Sequence, residues 1–324
     1  MDREGGAHRG GLIAAAPLPV DLRHPAVADL LDRCAFPEPG TAVTCAVSGG
    51  PDSLALLVLA VAAGCDATAV HVDHGLREGS AEEADVVRAV ADALGAASRA
   101  ERVEVADGPN LEARLRAARY AVLPDDVLTG HTADDRAETV LLHLLRGAGP
   151  AGAVGIARSP RRPLLDLRRH ETRALCDALG LSPVQDPSNL DPRHRRNRVR
   201  HELLALMADI AERDVVAVLV RQADLFAEVQ GALSDAAASV DPTSAGALAA
   251  APPAVAGEAV RAWLHGLGVG GGYPVDAASV ARVLAVARGE VRATEVVGGW
   301  RVARSRGRLS ALPPGAWQDA DHGP

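Results

Sequence analysis

Lysine is absent from the 324-residue chain, and all 34 of its basic residues are arginines. The chain therefore contains no Gly-Lys pair, which excludes a Walker A phosphate loop. Aromatic residues make up only 2% of the sequence, so its apolar mass consists mostly of Ala, Val and Leu. No apolar run approaches the roughly 20 residues that a membrane-spanning helix needs, so we expect no membrane association.

Cysteine is scarce, and its spacing argues against a cysteine-based site. The four cysteines form no C-x-x-C pair and lie mostly in apolar runs: Cys34, Cys45, Cys65 and Cys176. This pattern favours buried free thiols in a reducing compartment. We therefore expect a cytoplasmic protein.

Charge is unevenly distributed along the chain. The formal net charge of −8 by itself argues against a nucleic-acid partner. Residues 1–157 hold 13 arginines and 23 acidic residues, a balance of −10, whereas residues 158–200 hold 11 arginines and 5 acidic residues, a balance of +6. A basic segment inside an acidic chain is more informative than the total and indicates a local phosphate-binding surface.

Strand-like and helix-like patterns alternate between about residues 41 and 147. The apolar strand patterns "TAVTCAV" and "ATAVHVDHG" are each followed by a helical pattern, the first of them "SLALLVLAVAAG". Four such β–α units with short connections predict an α/β fold, a doubly wound parallel sheet with helices on both faces.

The remainder of the chain predicts a second, smaller domain. From about residue 210 the sequence is mostly helical in pattern, and it ends in the β-like segment "TEVVGGWRVARSRGRLSAL". The start of the chain lacks the basic region and long apolar core of a signal peptide. We expect a flexible tail over residues 1–20, the α/β domain over 21–208 and a smaller, mostly helical domain over 209–324.

A short loop of small and polar residues separates the first strand pattern from the first helix pattern; its sequence is Ser48-Gly49-Gly50-Pro51-Asp52-Ser53. Two glycines before a helix N-terminus let several backbone N–H groups approach one anion. Asp52 would repel a phosphate unless a cation lay between them, so it implies Mg²⁺ as part of the ligand. A plain turn with Asp52 and Ser53 as helix caps is the alternative.

The loop and four later segments follow one another as in a known family. These segments are "HVDHGLR" (71–77), "GHTADDRAETVLLHLLRGAG" (130–149), "RPLL" (162–165) and "DPSNLDPRHRRNRVR" (186–200). The loop resembles the pyrophosphatase loop (PP-loop) of the N-type ATP pyrophosphatases, and the last two segments narrow the resemblance to the tRNA(Ile)-lysidine synthetase family.

This resemblance implies a ligase that uses ATP and Mg²⁺ to adenylate the wobble cytidine of the tRNA(Ile) with a CAU anticodon. Free L-lysine then displaces AMP and forms lysidine, and pyrophosphate is the other product. Domain 21–208 would carry the catalysis and domain 209–324 would bind tRNA, and enzymes of this size are often homodimers. The residues implied for ATP are Ser48, Gly49, Gly50, Pro51, Asp52, Ser53, Asp73, His74 and His131, with Asp52 also holding Mg²⁺ through the phosphates.

The pattern of the fourth helix supplies candidate groups for lysine. His131, Asp134, Asp135 and Glu138 fall at spacings that place them on one helix face. Because the lysine amine has a pKa of about 10.4, it must lose a proton before it attacks. We assign this task to Asp135 and Glu138, with Asp134 as a further candidate. An acidic first turn that complements the helix dipole is the alternative.

The arginines of "DPRHRRNRVRHELL" are candidates for contacts with tRNA or ATP phosphates. In a helix, Arg193, Arg196 and Arg200 would share one face, and Arg195 and Arg198 another. The forked guanidinium suits phosphate groups. A solvated basic helix face is the alternative.

Two other functions compete with the ligase. A tRNA thiolation enzyme of the same superfamily would need a persulfide or a cluster, for which the chain offers no C-x-x-C pair. A non-catalytic, ATP-binding regulatory module would need Ser48, Gly49 and Gly50 but neither the acidic cluster nor the arginine-rich segment. His71, Asp73 and His74 as metal ligands are a further alternative to a nucleotide pocket.

Overall fold

The computed structural model describes residues 20–73, 75, 80–105, 111–271 and 274–316. The chain divides into two compact units, Met1–Ala223 and Asp224–Pro324. The sequence placed a domain boundary earlier, between residues 208 and 209, and the assignment of catalysis and tRNA binding to the two parts stays a prediction. The expected tail over 1–20 falls almost entirely outside the described residues.

The first unit contains a four-stranded parallel sheet in the order β3-β2-β1-β4. Its strands are β1 (Ala42–Ala46), β2 (Asp66–Asp73), β3 (Ala97–Arg102) and β4 (Leu128–Thr129). Its helices are α1 (Pro25–Leu31), α2 (Pro51–Ala62), α3 (Ser80–Leu94), α4 (Leu111–Val122), α5 (Ala133–Leu144), α6 (Pro150–Ala153), α7 (Arg169–Ala178), α8 (Arg195–Arg198), α9 (Leu204–Ala211) and α10 (Val215–Ala238), the last of which runs on into the second unit. This architecture confirms the predicted doubly wound parallel sheet.

Alternate residues of the central strands enter cores on opposite faces of the sheet. Cys45, Ala67 and Ala69 join the core around α2, whereas Val70 packs with Leu123 and other apolar residues on the opposite face. Because the middle of α2 is apolar on all sides, it lies in the core, and every residue from Leu54 to Ala60 is inaccessible to solvent. The loop before α2 therefore leads into a helix whose middle is completely buried.

The second unit packs helices against a small antiparallel sheet of order β5-β6-β7. After the end of α10, its elements are α11 (Ala245–Ala250), α12 (Pro253–Gly266), α13 (Ala277–Arg288), β5 (Ala293–Val296), β6 (Trp300–Ser305) and β7 (Arg308–Leu312). Val260, Leu264, Val283 and Val302 form the fully buried centre of its core. Across the described ranges of both units, no helix has the length and apolarity required to cross a membrane.

Candidate active site

The carboxyl ends of three neighbouring strands meet at one edge of the parallel sheet. The order of the strands reverses between β1 and β4, the position at which α/β sheets form a ligand crevice. The loop Ser48–Ser53 follows β1, Asp73 ends β2, and Gly130 and His131 follow β4. The structure thus brings these predicted nucleotide-contacting segments together, while His74 lies outside the described residues.

The loop Ser48–Ser53 is held in shape by its own hydroxyl groups. The Ser53 hydroxyl donates to the Gly50 carbonyl (2.9 Å) and accepts from the Ser48 amide (3.1 Å). Gly49 has a φ of +85°, and a Cβ there would lie 2.9 Å from the Val184 side chain, so glycine is required. In the described part of the chain the Gly49 and Gly50 amides donate to no other residue, and they precede the N-terminus of α2. This arrangement favours a bound phosphate.

Gly130 brings the end of β4 directly against this loop. A Cβ on Gly130 would lie 2.6 Å from the Asp52 carbonyl oxygen and 3.2 Å from the Ser53 amide nitrogen. Because overpacking costs about 1–3 kcal/mol, we expect Gly130→Ala to weaken ATP binding roughly tenfold and to lower Tm by about 2–10 °C. Calorimetric titration with ATP and a thermal melt measure the two effects.

Gly149→Ala is the matched control for this prediction. A Cβ at Gly149 would meet nothing within 4 Å, and its φ of −78° suits any residue. Equal effects of the two substitutions on ATP binding would contradict a steric role for Gly130.

Asp52 lies in the first turn of α2, where its carboxylate meets α7. The Thr172 hydroxyl donates to Asp52 Oδ1, and Arg169 Nε lies 3.5 Å from Asp52 Oδ2. Burial raises the pKa of Asp52 to about 6, and the contacts with Thr172 and Arg169 offset this only in part. The side chain is still 23% exposed, so it remains accessible to a ligand.

Asp52 belongs to a group of eight charged side chains, which we call the ion-pair cluster. Its carboxylates come from α2 and α5, and its arginines come from the start of α7 and from the segment around α8. Its members are Asp52, Asp134, Asp135, Glu138, Arg168, Arg169, Arg196 and Arg200. Each arginine of the cluster lies beside a carboxylate, and Arg168 also pairs with the more exposed Asp214, which allows so many ionised groups to share a partly buried site.

Glu138 is the centre of the ion-pair cluster and is fully buried. Arg169 Nη1, Arg196 Nε and Arg200 Nε each donate to one of its oxygens at 2.7 Å. Burial alone would raise its pKa, but the hydrogen bond from Arg200 and the three guanidinium charges outweigh it and lower the pKa of Glu138 to about 2. In this arrangement Glu138 binds arginines and is closed to an ammonium ion.

Asp135 and Asp134 are less enclosed, with side chains 13% and 15% exposed. Asp135 Oδ2 accepts from the Thr132 amide (2.9 Å), so this oxygen caps α5. Its Oδ1 accepts from Arg169 Nη2 (2.8 Å) and Arg196 Nη2 (3.1 Å). Asp134 accepts from Arg168 Nε (3.0 Å) and from the Arg169 amide (2.8 Å).

The basic segment 193–200 does not form one continuous arginine face. Arg196 and Arg200 both turn inward to Glu138, because α8 continues into a π-helical turn over Val199–Leu203. Arg193 precedes α8 and points elsewhere. The prediction that Arg193 shares a face with Arg196 and Arg200 is therefore wrong, since the helix begins two residues after Arg193.

The other arginines of this segment lie at the surface. Arg193 pairs with Asp191 at 2.6 Å, and Arg198 pairs with Glu202 at 2.8 Å. Arg195 is exposed and forms no ion pair with another described residue. Exposed pairs of this kind contribute at most about 1 kcal/mol, so Arg193 and Arg198 can exchange their carboxylate partners for phosphate, and Arg195 can bind phosphate without breaking an ion pair.

His131 connects the end of β4 to the ion-pair cluster. Its Nδ1 lies 2.8 Å from the Thr129 hydroxyl. Burial lowers the pKa of His131 to about 4, and the positive charge of Arg162 lowers it further against the opposing effect of Asp135. The imidazole is therefore neutral at pH 7 and suits hydrogen bonding better than charge pairing.

At the end of β2, Asp73 Oδ1 accepts from the Gly75 amide at 2.8 Å. His71 is buried, and its Nδ1 lies 3.0 Å from the Val47 carbonyl at the start of the phosphate loop. Over the described ranges, no three His, Cys, Asp or Glu side chains are grouped closely enough to hold a metal ion. His71 instead ties β2 to the phosphate loop.

Three residues that shape the site were assigned no individual role from the sequence: Arg168, Arg169 and Thr172. They lie in "RRHET" at the start of α7, within the basic segment 158–200. The Arg-Arg pair was a visible signal of charge. The contacts that these residues make were not visible in the sequence, because their partners lie far away in the chain. Thr172 and Asp52, for example, are 120 residues apart.

Comparisons with known proteins show the family of this chain. A family model described as a PP-loop domain matches residues 25–207. The tRNA(Ile)-lysidine synthase of Salinispora tropica is 42% identical over 323 residues, which cover 87% of this chain and 93% of that protein. The tRNA(Ile)-lysidine synthase of Nocardia farcinica is 44% identical over 259 residues, which cover 74% of this chain and 80% of that protein.

Among solved structures, a U34-tRNA thiolase from Methanococcus maripaludis aligns with 63% of this chain and 77% of its own. The sequence identity is 18% and the TM-score is 0.46.

Proposed function

The chain belongs to the PP-loop family of tRNA(Ile)-lysidine synthases, and from this we propose the reaction that its site performs. ATP activates the wobble cytidine of the CAU-anticodon tRNA(Ile), and lysine is then joined to the activated base, with AMP and pyrophosphate released. The observation that carries the proposal is the position of the phosphate-binding loop next to the ion-pair cluster at one sheet edge. A ligase that adenylates a base and then accepts an amine needs both sites.

Mg²⁺ is the cation that we propose beside the ATP phosphates. Proteins bind Mg²⁺ through one or two carboxylates together with substrate phosphates. Asp52 fits this requirement, because it is a partly exposed carboxylate at the phosphate-binding loop. When bound, the ion would supply positive charge to the α- and β-phosphates as pyrophosphate leaves.

The cytosine carbonyl oxygen would attack the α-phosphorus, forming an O–P bond while the bond to pyrophosphate breaks. The Gly49 and Gly50 amides support this step by holding phosphate oxygens at the N-terminus of α2. The lysine amine would then attack the base carbon, forming a C–N bond while the C–O bond to AMP breaks. Attack requires the neutral amine, so a carboxylate must first receive the ammonium and accept a proton.

For lysine we propose Asp135, with Asp134 as a second ligand and Glu138 as the group that positions the arginines. One carboxylate oxygen of Asp135 accepts hydrogen bonds from Arg169 and Arg196. An ammonium ion can take this oxygen when one guanidinium shifts toward a phosphate, and ATP supplies phosphates beside Arg169. Glu138 has three arginine partners and no exposed surface, which makes it the least suited of the carboxylates to bind lysine.

For tRNA we propose contacts with the exposed Arg193, Arg195 and Arg198, whereas Arg196 and Arg200 serve the ion-pair cluster. The domain predicted over 209–324 would provide a second contact surface, supported by the arginines of its last hairpin at 301, 304, 306 and 308. A tRNA substrate is consistent with action in the cytoplasm. A homodimer stays a prediction.

Cysteine chemistry does not favour the thiolation alternative. Burial raises the pKa of Cys34, Cys45 and Cys176 to about 12, and it raises the pKa of Cys65 as well. These thiols are protonated at pH 7, whereas a sulfur carrier needs a reactive thiolate.

The test of the proposed function is pyrophosphate release from ATP with Mg²⁺, lysine and unmodified CAU-anticodon tRNA(Ile), with each component omitted in turn. We expect release to require the tRNA and labelled lysine to become attached to it. Adenylated tRNA that does not accept lysine would point to another acceptor, and ATP binding without any turnover would contradict catalysis.

Asp52 should make ATP binding dependent on pH. Its carboxylate must be ionised to attract Mg²⁺, and its pKa is about 6 in the folded protein. We therefore expect the affinity for Mg²⁺ and ATP to increase as the pH rises from 5 to 7 and then to level off. Calorimetric titrations across this range measure the effect, and the Asp52→Asn variant provides the control for protonation of ATP itself. Parallel pH curves for the two proteins would contradict the role of Asp52.

A further inference from the structure

A second group of arginines lies next to the active site but outside the ion-pair cluster. We call them the edge arginines: Arg116 and Arg119 on α4, and Arg161 and Arg162 in the segment before α7. The Thr129 amide on β4 donates to the Arg161 carbonyl at 2.9 Å. Since the other side of β4 pairs with β1, this bond places Arg161 and Arg162 along the free edge of the sheet.

The two edge arginines of α4 stack on an aromatic ring. The guanidinium carbons of Arg116 and Arg119 lie 4.9 Å and 5.4 Å from the centre of the Tyr120 ring. Tyr120 itself packs against the core formed by Val70, Leu123 and Val127. The fold therefore fixes two positive charges around one anchored ring.

The edge arginines differ from the arginines of the ion-pair cluster in having no carboxylate partner among the residues that the structure describes. Each cluster arginine has a carboxylate oxygen within 3.0 Å. None of the four edge arginines forms an ion pair with a carboxylate in the described ranges. Arg161 and Arg162 donate instead to the backbone carbonyls of Asp125 (2.5 Å) and Ala157 (2.7 Å). Burial and neighbouring positive charge lower the pKa of Arg119 and Arg162.

The edge arginines run from the surface toward the reacting groups. Arg116 and Arg161 are exposed, whereas Arg119 and Arg162 are half-buried. The charges of Arg116 and Arg162 both act on His131, which lies at the carboxyl end of β4. Positive charges that act on the same region repel one another, and a bound anion relieves this repulsion.

We propose that the edge arginines bind a backbone phosphate of the RNA strand that carries the target cytidine. This inference rests on the proposed function. The ATP phosphates already have a proposed site at the loop before α2. A phosphate bound by the arginines at the free edge of β4 would therefore come from the RNA. Guanidinium forks match a phosphodiester, and an aromatic ring beside them is typical of proteins that bind unpaired RNA.

The test is fluorescence anisotropy of labelled CAU-anticodon tRNA(Ile), without ATP or lysine, over a range of KCl concentrations. We expect Arg119→Gln and Arg162→Gln each to weaken binding roughly tenfold and to reduce the slope of log Kd against log salt by about 0.7–0.9. Arg119→Lys should restore most of the salt slope, because it retains the positive charge. Arg23→Gln, which removes one exposed charge just before α1, is the matched control and should change neither quantity.

The outcomes separate the inference from the proposed function. If wild-type protein does not bind the tRNA, the proposed function fails. If wild-type and both Gln variants bind it with equal affinity and salt slope, the edge arginines are not an RNA site, although the ligase proposal stands. If the variants lose affinity for ATP while their tRNA binding is unchanged, the edge arginines bind the nucleotide, and the inference is overturned. Thermal melts identify any variant that fails to fold.

Discussion

Asp52→Asn should reduce the kcat/KM of lysidine formation by at least about a hundredfold while leaving Tm unchanged or slightly raised. Removing one preorganised charge from a transition state costs roughly 10²–10³ in rate, and asparagine cannot supply the negative charge that attracts Mg²⁺. Labelled lysine incorporation at pH 8 measures the rate, and a thermal melt at the same pH measures stability.

The stability part of this prediction follows from the raised pKa of Asp52. Its folded-state pKa of about 6 exceeds its usual value of 3.8, so the fold disfavours the ionised carboxylate. The neutral carboxyl group of Asp52 is the form that the fold favours. Its contribution to stability is fully present below about pH 4 and is lost as the pH rises through about 6, where the group ionises. At pH 8 a neutral asparagine removes an unfavourable charge, and its carbonyl can still accept from Thr172.

The control for Asp52 is Asp29→Asn, which removes a charge from an exposed position of α1. It should change neither the rate nor Tm. A large fall in Tm for Asp52→Asn would show that Asp52 supports the fold, and near-normal kcat/KM would exclude it from the reaction.

Glu138→Gln should lower the free energy of unfolding by about 3–5 kcal/mol, the usual effect of removing one partner from a buried ion pair. In a unit of this size the loss corresponds to a fall in Tm of roughly 6–20 °C. The substitution leaves three arginines facing an amide in place of a carboxylate that is 0% exposed. Denaturant and thermal unfolding measure the effect.

The pH dependence of this loss is a second test. Since the folded-state pKa of Glu138 is about 2, below its usual 4.5, its contribution is present above about pH 4.5 and is lost as the pH falls toward 2. The difference between wild type and Glu138→Gln should therefore be constant from pH 5 to 8 and should shrink in acid.

Glu202→Gln is the control for Glu138. It breaks an exposed pair with Arg198, in which the Glu202 side chain is 53% exposed, and should cost no more than about 1 kcal/mol. If Glu138→Gln is no more destabilising than Glu202→Gln, the ion-pair cluster does not stabilise the fold.

The roles of charged residues were predicted less well than the fold. The pattern of the fourth helix correctly placed Asp134, Asp135 and Glu138 near one another at the sheet edge. It could not indicate that Glu138 would be buried beneath three arginines, because Arg169 and Arg196 come from segments far along the chain. A carboxylate that is free to bind a substrate and one already paired look the same in sequence.

The sequence by itself determined the parallel sheet, the phosphate-binding loop and the family, because these depend on local patterns. The periodicity of strands and helices extends over a few residues, and so does the placement of glycines before a helix N-terminus. Both can therefore be recognised in the sequence. Only the tertiary structure decided which charges are paired, since ion pairing depends on distance in space. It turned Arg196 and Arg200 inward to Glu138, placed Arg169 between Asp52 and Asp135, and left Arg116, Arg119, Arg161 and Arg162 without carboxylate partners in the described ranges.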